Sequence, residues 1–354
     1  MKILILLSRL NRGGAEIRTL SLLKELSSNK KFKIYVYLTS GERCELDNEY
    51  EKYSELIYRN KSYPIAFDFM STIRNIKFDV VHINANLASG VYCFLSYLLG
   101  IKKRISHIRT SSDYGSGVLY NLKKKVYSFL TNTFSTRIIG VCDGARDLCN
   151  SPSSKWITIY NGIETKGRKF EFEPQIQLPS DAIKLIMIGR LADIKNHSFA
   201  IDIVSKFKGK VILDIYGEGA ADYVESINKN IIAKNLVGIV NLKGNCKAPL
   251  VVIPKYDLLI LPSKREGLPG VVLEALSCGV PVVCTNLPGC SEISKYSTAV
   301  NCLPIEKDNV NDWISNIQNF KNNSSEDLII SEFNSSPFLH HIHCEGITNV
   351  WKQK

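Results

Sequence analysis

Long apolar runs are missing from this 354-residue sequence. Nothing approaches the roughly 20 consecutive apolar residues that span a bilayer. The N-terminal "ILILL" is not followed by a small-residue cleavage site, so it reads as a buried first strand and not as a signal peptide. The 10 cysteines are scattered and form no CxxC pair, which argues for reduced thiols in a cytosolic protein and against a disulfide framework. "HHIHC" (340–344) has metal-ligand residue types without the spacing of a closed zinc site, and is expected to be a loop. Walker A, full GxGxxG and D-x-D patterns are all absent. So are helix-turn-helix and RNP motifs and any interleaving of basic and aromatic residues, so nucleic acid is not an expected partner.

What is present is an ordinary globular composition, 45% hydrophobic and 22% charged, in a chain long enough for two cores. The net charge of +11 is unevenly placed. Residues 1–170 hold 27 Lys+Arg against 14 Asp+Glu, and the remainder 18 against 20. That asymmetry suggests a polyanion or an anionic membrane surface facing the first half. Short apolar runs alternate with helical spacing: "MKILILLS", "FKIYVYLTS", "FDVVHINA", "KRISHIRTS", "TRIIGVC" and "WITIYNGI". After a charged stretch with two prolines the alternation restarts at "IKLIMIGRLADIKN" and continues through "VPVVCTN". The pattern predicts an α/β chain with parallel sheets covered on both faces. The expected domains are 1–165, a linker over 166–182, a second domain over 183–335, and a tail over 336–354.

Ligands of such sheets bind where strand C-termini run into helices. Gly13 and Gly14 open the first helix and suit either a phosphate approach or a tight turn without a ligand. Arg190 and Lys195, just after "IKLIMI", suit a diphosphate as planar fork and point charge; the alternative is two solvated cations. "YGEGA", with Gly217 and Glu218, offers room for a base or ribose, or is an ordinary turn. In "LPSKREGLPGVVLEALSCGVPVV", Pro269 and Gly270 suit the first turn of a helix. The N–H groups of Leu268, Gly270 and Val271 suit an anion. Glu274 suits the two vicinal hydroxyls of a ribose, and Glu266 a sugar beyond the diphosphate. The bland reading, two surface glutamates, fits Glu274 poorly because Leu273, Ala275 and Leu276 flank it.

Taken in order, "NRGGAE", "YNGI", "GRLADIKN", "YGEG" and "EGLPGVVLEALSCGVPVV", with Glu266 and Glu274 in E-x7-E spacing, resemble the retaining glycosyltransferases of family 4 over roughly residues 1–305. The resemblance implies the GT-B fold, two Rossmann-like parallel-sheet domains facing a central cleft. It implies that Arg190 and Lys195 grip a donor diphosphate, Glu274 holds the nucleotide ribose and Glu266 touches the transferred sugar. The Gly13–Gly14 loop would close over the phosphates. A functional histidine of the family would fall at His107 or, by a shift in register, at Arg109, with His82 on the neighbouring strand.

Such a transferase needs no protein nucleophile if the departing diphosphate takes the acceptor's proton. With no D-x-D motif, no metal or other cofactor is expected; the nucleotide-sugar, most simply a UDP-sugar, is a substrate. "SGVLYNLKKKVYSFL" (116–130) reads either as a core-facing helix with a basic outer face or as an amphipathic segment on an anionic membrane. With the basic first half, it suggests a lipid-linked saccharide acceptor and a peripheral place at the cytoplasmic face of the plasma membrane, as in bacterial surface-polysaccharide synthesis. A GT-B nucleotide-sugar epimerase and a non-catalytic nucleotide-sugar-binding subunit are the alternatives.

Overall fold

The computed structural model describes the chain except residues 30, 112–114, 116, 165–181, 209, 321–324 and 354. Almost all of the expected linker therefore lies outside the described residues. The chain divides into two compact units, residues 1–162 with 341–354, and residues 163–340.

Unit 1 carries seven strands: β1 (Lys2–Leu7), β2 (Lys33–Leu38), β3 (Glu55–Tyr58), β4 (Val80–Ile83), β5 (Lys103–Ile108), β6 (Arg137–Gly140) and β7 (Trp156–Thr158). They form one parallel sheet in the order β3-β2-β1-β4-β5-β6-β7. The continuous apolar run of β1 follows from burial on both faces. Ile3, Ile5 and Leu7 join one core cluster and Leu4 and Leu6 another, as the period of two requires.

Unit 2 carries β8 (Ile183–Ile188), β9 (Val211–Tyr216), β10 (Val240–Leu242), β11 (Leu258–Leu261), β12 (Val282–Thr285) and β13 (Val300–Leu303). Their order is β10-β9-β8-β11-β12-β13, again parallel. Its core packs Leu185, Met187 and Ile260 against Phe199 and Ile203 of the helix His197–Lys206 and Trp313 of the helix Val310–Phe320. Both sheets are doubly wound, and each strand order reverses once, between β1 and β4 in unit 1 and between β8 and β11 in unit 2. All ten cysteines are free thiols.

"HHIHC" is not a loop. It starts the helix His340–Lys352, whose Cys344, Ile347, Val350 and Trp351 join the core of unit 1. His343 Nδ1 donates to the Tyr160 carbonyl at 2.8 Å, and Lys103 Nζ to the Trp351 carbonyl at 2.8 Å. The fully buried Trp351 meets Phe32 edge to face, and its indole N–H donates to His82 Nδ1 at 3.2 Å. Indole is a donor only, so the remaining proton of neutral His82 sits on Nε2, 3.0 Å from His107 Nδ1. His82 thus donates to His107, whose own proton is left on Nε2. That atom is buried and has no partner among the described residues.

Two predictions follow from this interior. Trp351→Ala should cost about 3–5 kcal/mol of unit 1 stability, read from denaturant midpoints, whereas Trp351→Phe should cost less. The second concerns pH. Burial first, then the neighbouring Arg109 charge, lowers the His82 pKa to about 3 and that of His107 well below its usual value. Unfolded histidines protonate near pH 6.5, so below that pH the unfolded chain binds more protons and stability falls toward about pH 3. At pH 5 the loss should be roughly 1–2 kcal/mol per histidine relative to pH 7.5; equal urea midpoints at the two pH values would contradict it.

Candidate functional site

Where a strand order reverses, the loops leaving adjacent strands diverge and open a crevice at the C-terminal edge of the sheet. In unit 2 those loops are 189–196 after β8 and 262–269 after β11. They are joined at three points. The Lys264 N–H donates to the Ile194 carbonyl at 2.8 Å, and Lys264 Nζ to both carboxylate oxygens of Asp193 at 2.8 Å. Lys195 Nζ meets Glu266 Oε1 at 2.6 Å, with side chains only 18% and 14% exposed. Shielding makes this pair stronger than a surface ion pair and leaves neither charge bare. Arg190, by contrast, is exposed and has no ion pair among the described residues. Its guanidinium fork stays available.

The glycines of "YGEG" are explained by backbone packing. A Cβ on Gly217 would collide with the Gly189 carbonyl, and one on Gly219 with the Leu191 carbonyl. The Leu191 N–H donates to the Glu218 carbonyl at 2.8 Å, so Glu218 is carried beside the Arg190 loop with its side chain exposed.

The helix Gly270–Ser277 starts from Pro269 in extended conformation (φ −72°, ψ 110°) with no side-chain cap. The N–H groups of Leu268, Gly270 and Val271 have no partner among the described residues. An uncapped first turn carries partial positive charge and open donors. Leu268 and Pro269 are buried and Glu274 is half-buried, flanked by buried Leu273, Ala275 and Leu276. A Cβ on Gly289 would strike the Gly267 carbonyl, so the next helix, Pro288–Ile293, supports the Glu266 loop from behind.

In unit 1, Gly13 is the N-cap and Gly14 the first residue of the helix Gly14–Leu26, again without a side-chain cap. A Cβ on Gly13 would meet the Glu16 carboxylate, which folds back over this helix end. His82 and His107 are buried on adjacent strands, 3% and 0% exposed. Arg109, just past the end of β5 and on the same side of the strand as His107, is only partly buried. Its N–H donates to Asn86 Oδ1 at 2.7 Å, its Nε to Asn84 Oδ1 at 2.8 Å and its Nη2 to Thr19 Oγ1 at 3.5 Å. Burial lowers its pKa to about 10, so it stays charged at neutral pH. The three anchoring residues are not singled out by sequence. The one signal for the asparagines is their place in "NAN", directly after β4.

The helix Val118–Phe134 turns only part of its apolar surface inward: Thr131 is its one buried residue, and Phe134 packs on the core and on Phe94. Val118, Leu119 and Phe129 are 85%, 84% and 63% exposed, beside exposed Lys123 and Lys125. No described helix is long and apolar enough to cross a membrane. Among the described residues no group of three or more His, Cys, Asp and Glu gathers as metal ligands.

Comparison with known proteins places these features. Residues 12–166 match Glycosyltransferase Family 4, and residues 182–323 match Glycosyl transferases group 1. The capsular polysaccharide biosynthesis glycosyltransferase CapH of Staphylococcus aureus is 30% identical over 309 residues, 84% of each chain. An N-acetylgalactosamine-N,N'-diacetylbacillosaminyl-diphospho-undecaprenol 4-alpha-N-acetylgalactosaminyltransferase of Campylobacter jejuni is 24% identical over 80% of each. The crystal structure of Anabaena HepE in complex with UDP and glucose, 18% identical, superposes with a TM-score of 0.81 over 99% of this chain and 98% of that one. These similarities make the chain a member of glycosyltransferase family 4, and its two doubly wound parallel sheets are those of the GT-B fold.

Proposed function

We propose that the chain is a retaining, metal-independent glycosyltransferase of bacterial surface-polysaccharide synthesis (O antigen, capsule or exopolysaccharide). It moves a sugar from a UDP-sugar to a lipid-linked saccharide. The observation that carries this reading is the Lys195–Glu266 pair at the point where the unit 2 strand order reverses, next to exposed Arg190. Lys195, Arg190 and the open N–H groups of Leu268, Gly270 and Val271 supply fixed positive charge for a departing nucleoside diphosphate. In this reading Glu266 orients the transferred sugar and Glu274 the ribose. Gly217 and Glu218 border the base.

The donor diphosphate would draw Lys195 from a half-buried carboxylate to a phosphate, freeing Glu266 to accept from sugar hydroxyls. The leaving diphosphate takes the acceptor's proton as the glycosidic bond forms on the same face, so no protein nucleophile takes part. Unit 1 binds the acceptor in this reading; there His82 and His107 are buried, and partly buried Arg109 stands at the strand end. The names of the relatives, one capsular and one acting on a diphospho-undecaprenol saccharide, support the same pathway class for this chain. So does UDP in the similarly folded HepE.

The exposed apolar face of the helix Val118–Phe134, with its lysines, fits an anionic membrane surface where a lipid carrier would be held. A peripheral place at the cytoplasmic leaflet follows from this proposal.

Three measurements test it. Arg190→Ala and Lys195→Ala should each lower kcat by at least about tenfold with circular dichroism unchanged, because each removes a contact strongest in the transition state. Undiminished kcat in both would remove the diphosphate assignment, and activity abolished by EDTA would remove metal independence. Sedimentation with phosphatidylglycerol vesicles should retain the protein, and Leu119→Glu with Phe129→Glu should release it. Each lysine of 123–125 changed to Gln should cost about 1 kcal/mol of vesicle affinity.

A further inference from the structure

The guanidinium of Arg109 lacks the carboxylate partner that Arg12 and Arg43 have, and its side-chain partners are side chains, not the main-chain carbonyls that hold Arg104. Arg12 pairs with Glu45 at 2.8 Å and Arg43 with Glu51 at 2.7 Å. Arg104 points its donors at the main-chain carbonyls of Phe134, Ile101 and Lys102. Arg109 has no carboxylate within ion-pair distance among the described residues. Two of its five side-chain donors are engaged, Nε by an amide oxygen and Nη2 by a hydroxyl, and both partners are neutral. Nη1 has no partner among the described residues.

The anchoring is specific. Asn84 Nδ2 donates to the Leu6 carbonyl at 3.3 Å, which turns Asn84 Oδ1 toward the guanidinium. Thr19 Oγ1 donates to the Ala15 carbonyl at 2.8 Å, leaving its lone pairs for Nη2. Asn86, at φ 51°, fixes the main chain of Arg109. Behind it the Trp351–His82–His107 chain of hydrogen bonds is neutral and brings no counter-charge. Glu16 acts on Arg109 through space, and its carboxylate lies over Gly13 at its own helix end. A partly buried cation held rigidly by neutral groups carries a desolvation cost that an incoming anion would offset. Rigid forks with unspent donors suit oxyanions best.

We propose that Arg109 recognises a negatively charged oxyacid group on the acceptor, either the carboxylate of an acidic sugar or the phosphate that joins the saccharide to its carrier. The proposal rests on the reading of unit 1 as the acceptor-binding unit, and it makes Arg109 a specificity-determining residue. A neutral acceptor of the same size would lack the group that fills this position.

The test uses the full chain with 15N-labelled arginine. The Arg109 Nε–Hε resonance is assigned by its loss in Arg109→Lys. The protein is titrated with methyl β-D-glucuronide, with farnesyl diphosphate and with methyl β-D-glucoside, each with and without saturating UDP. We expect one anionic probe to shift the Arg109 resonance, equally with UDP present, and the neutral glucoside to leave it in place. Shift by the glucuronide identifies a carboxylate as the recognised group, and shift by the diphosphate identifies the linking phosphate. By calorimetry, Arg109→Gln should weaken that probe at least tenfold while UDP affinity is unchanged. Neither anion shifting the resonance, or both binding Arg109→Gln as tightly as the wild type, overturns the proposal. Failure of the wild type to bind UDP would count against the donor site of unit 2 alone, since the titrations without UDP still decide Arg109.

Discussion

The contact on which the unit 2 site depends is the ion pair between Lys195 and Glu266. Its residues come from the two loops that flank the reversal in strand order, so the pair exists only if both strands lie side by side in register. Around it the neighbouring backbones are drawn very close. Gly217 and Gly219 pack on the carbonyls of the Arg190 loop, and Gly289 on the carbonyl next to Glu266. With so little slack, the positions of the two side chains follow from the sheet itself and not from local flexibility. The same closeness explains glycines that a motif reading would assign to the ligand: they are there first to let main chains touch.

Much of this was legible in the residues. The eleven strands that begin or lie within short apolar runs stood out because parallel strands buried on both faces have few polar interruptions. β3 and β13 escaped because "ELIY" and "VNCL" are short and largely half-buried at or near sheet edges, where composition carries little signal. The E-x7-E spacing and "GRLADIKN" foretold a loop and helix start close to a cationic strand exit. That Lys195 would bond to Glu266, 71 residues away, is a tertiary fact outside the reach of local pattern.

The C-terminal region shows a different limit. "SSEDLII" contains a readable helix start: Ser325 accepts from the Leu328 N–H, with Glu326 and Asp327 in the first turn. "HHIHCEGITNVW" hides its helix because the buried positions include two histidines, which polarity alone places at the surface. Their burial is made tolerable by specific partners, as with His343 on the Tyr160 carbonyl. Arg109 was legible only as a register alternative to His107 at a strand end, and its surroundings were not. Its importance comes from neutral neighbours contributed by two separate segments, and no spacing rule connects Thr19 with Asn84 and Asn86.

The route of the chain through unit 1 has a consequence for how the protein is made. Its sheet is complete by residue 158, yet the helix that supplies Trp351 to that sheet follows the whole of unit 2 in sequence. Unit 2, which is continuous in sequence, can finish folding while one face of the earlier sheet still lacks part of its cover. During that interval the apolar side chains of Ile3, Ile5 and Ile105 and the polar pair His82–His107 have no Trp351 above them. Synthesis thus leaves unit 1 as a waiting template until the helix His340–Lys352 has been made.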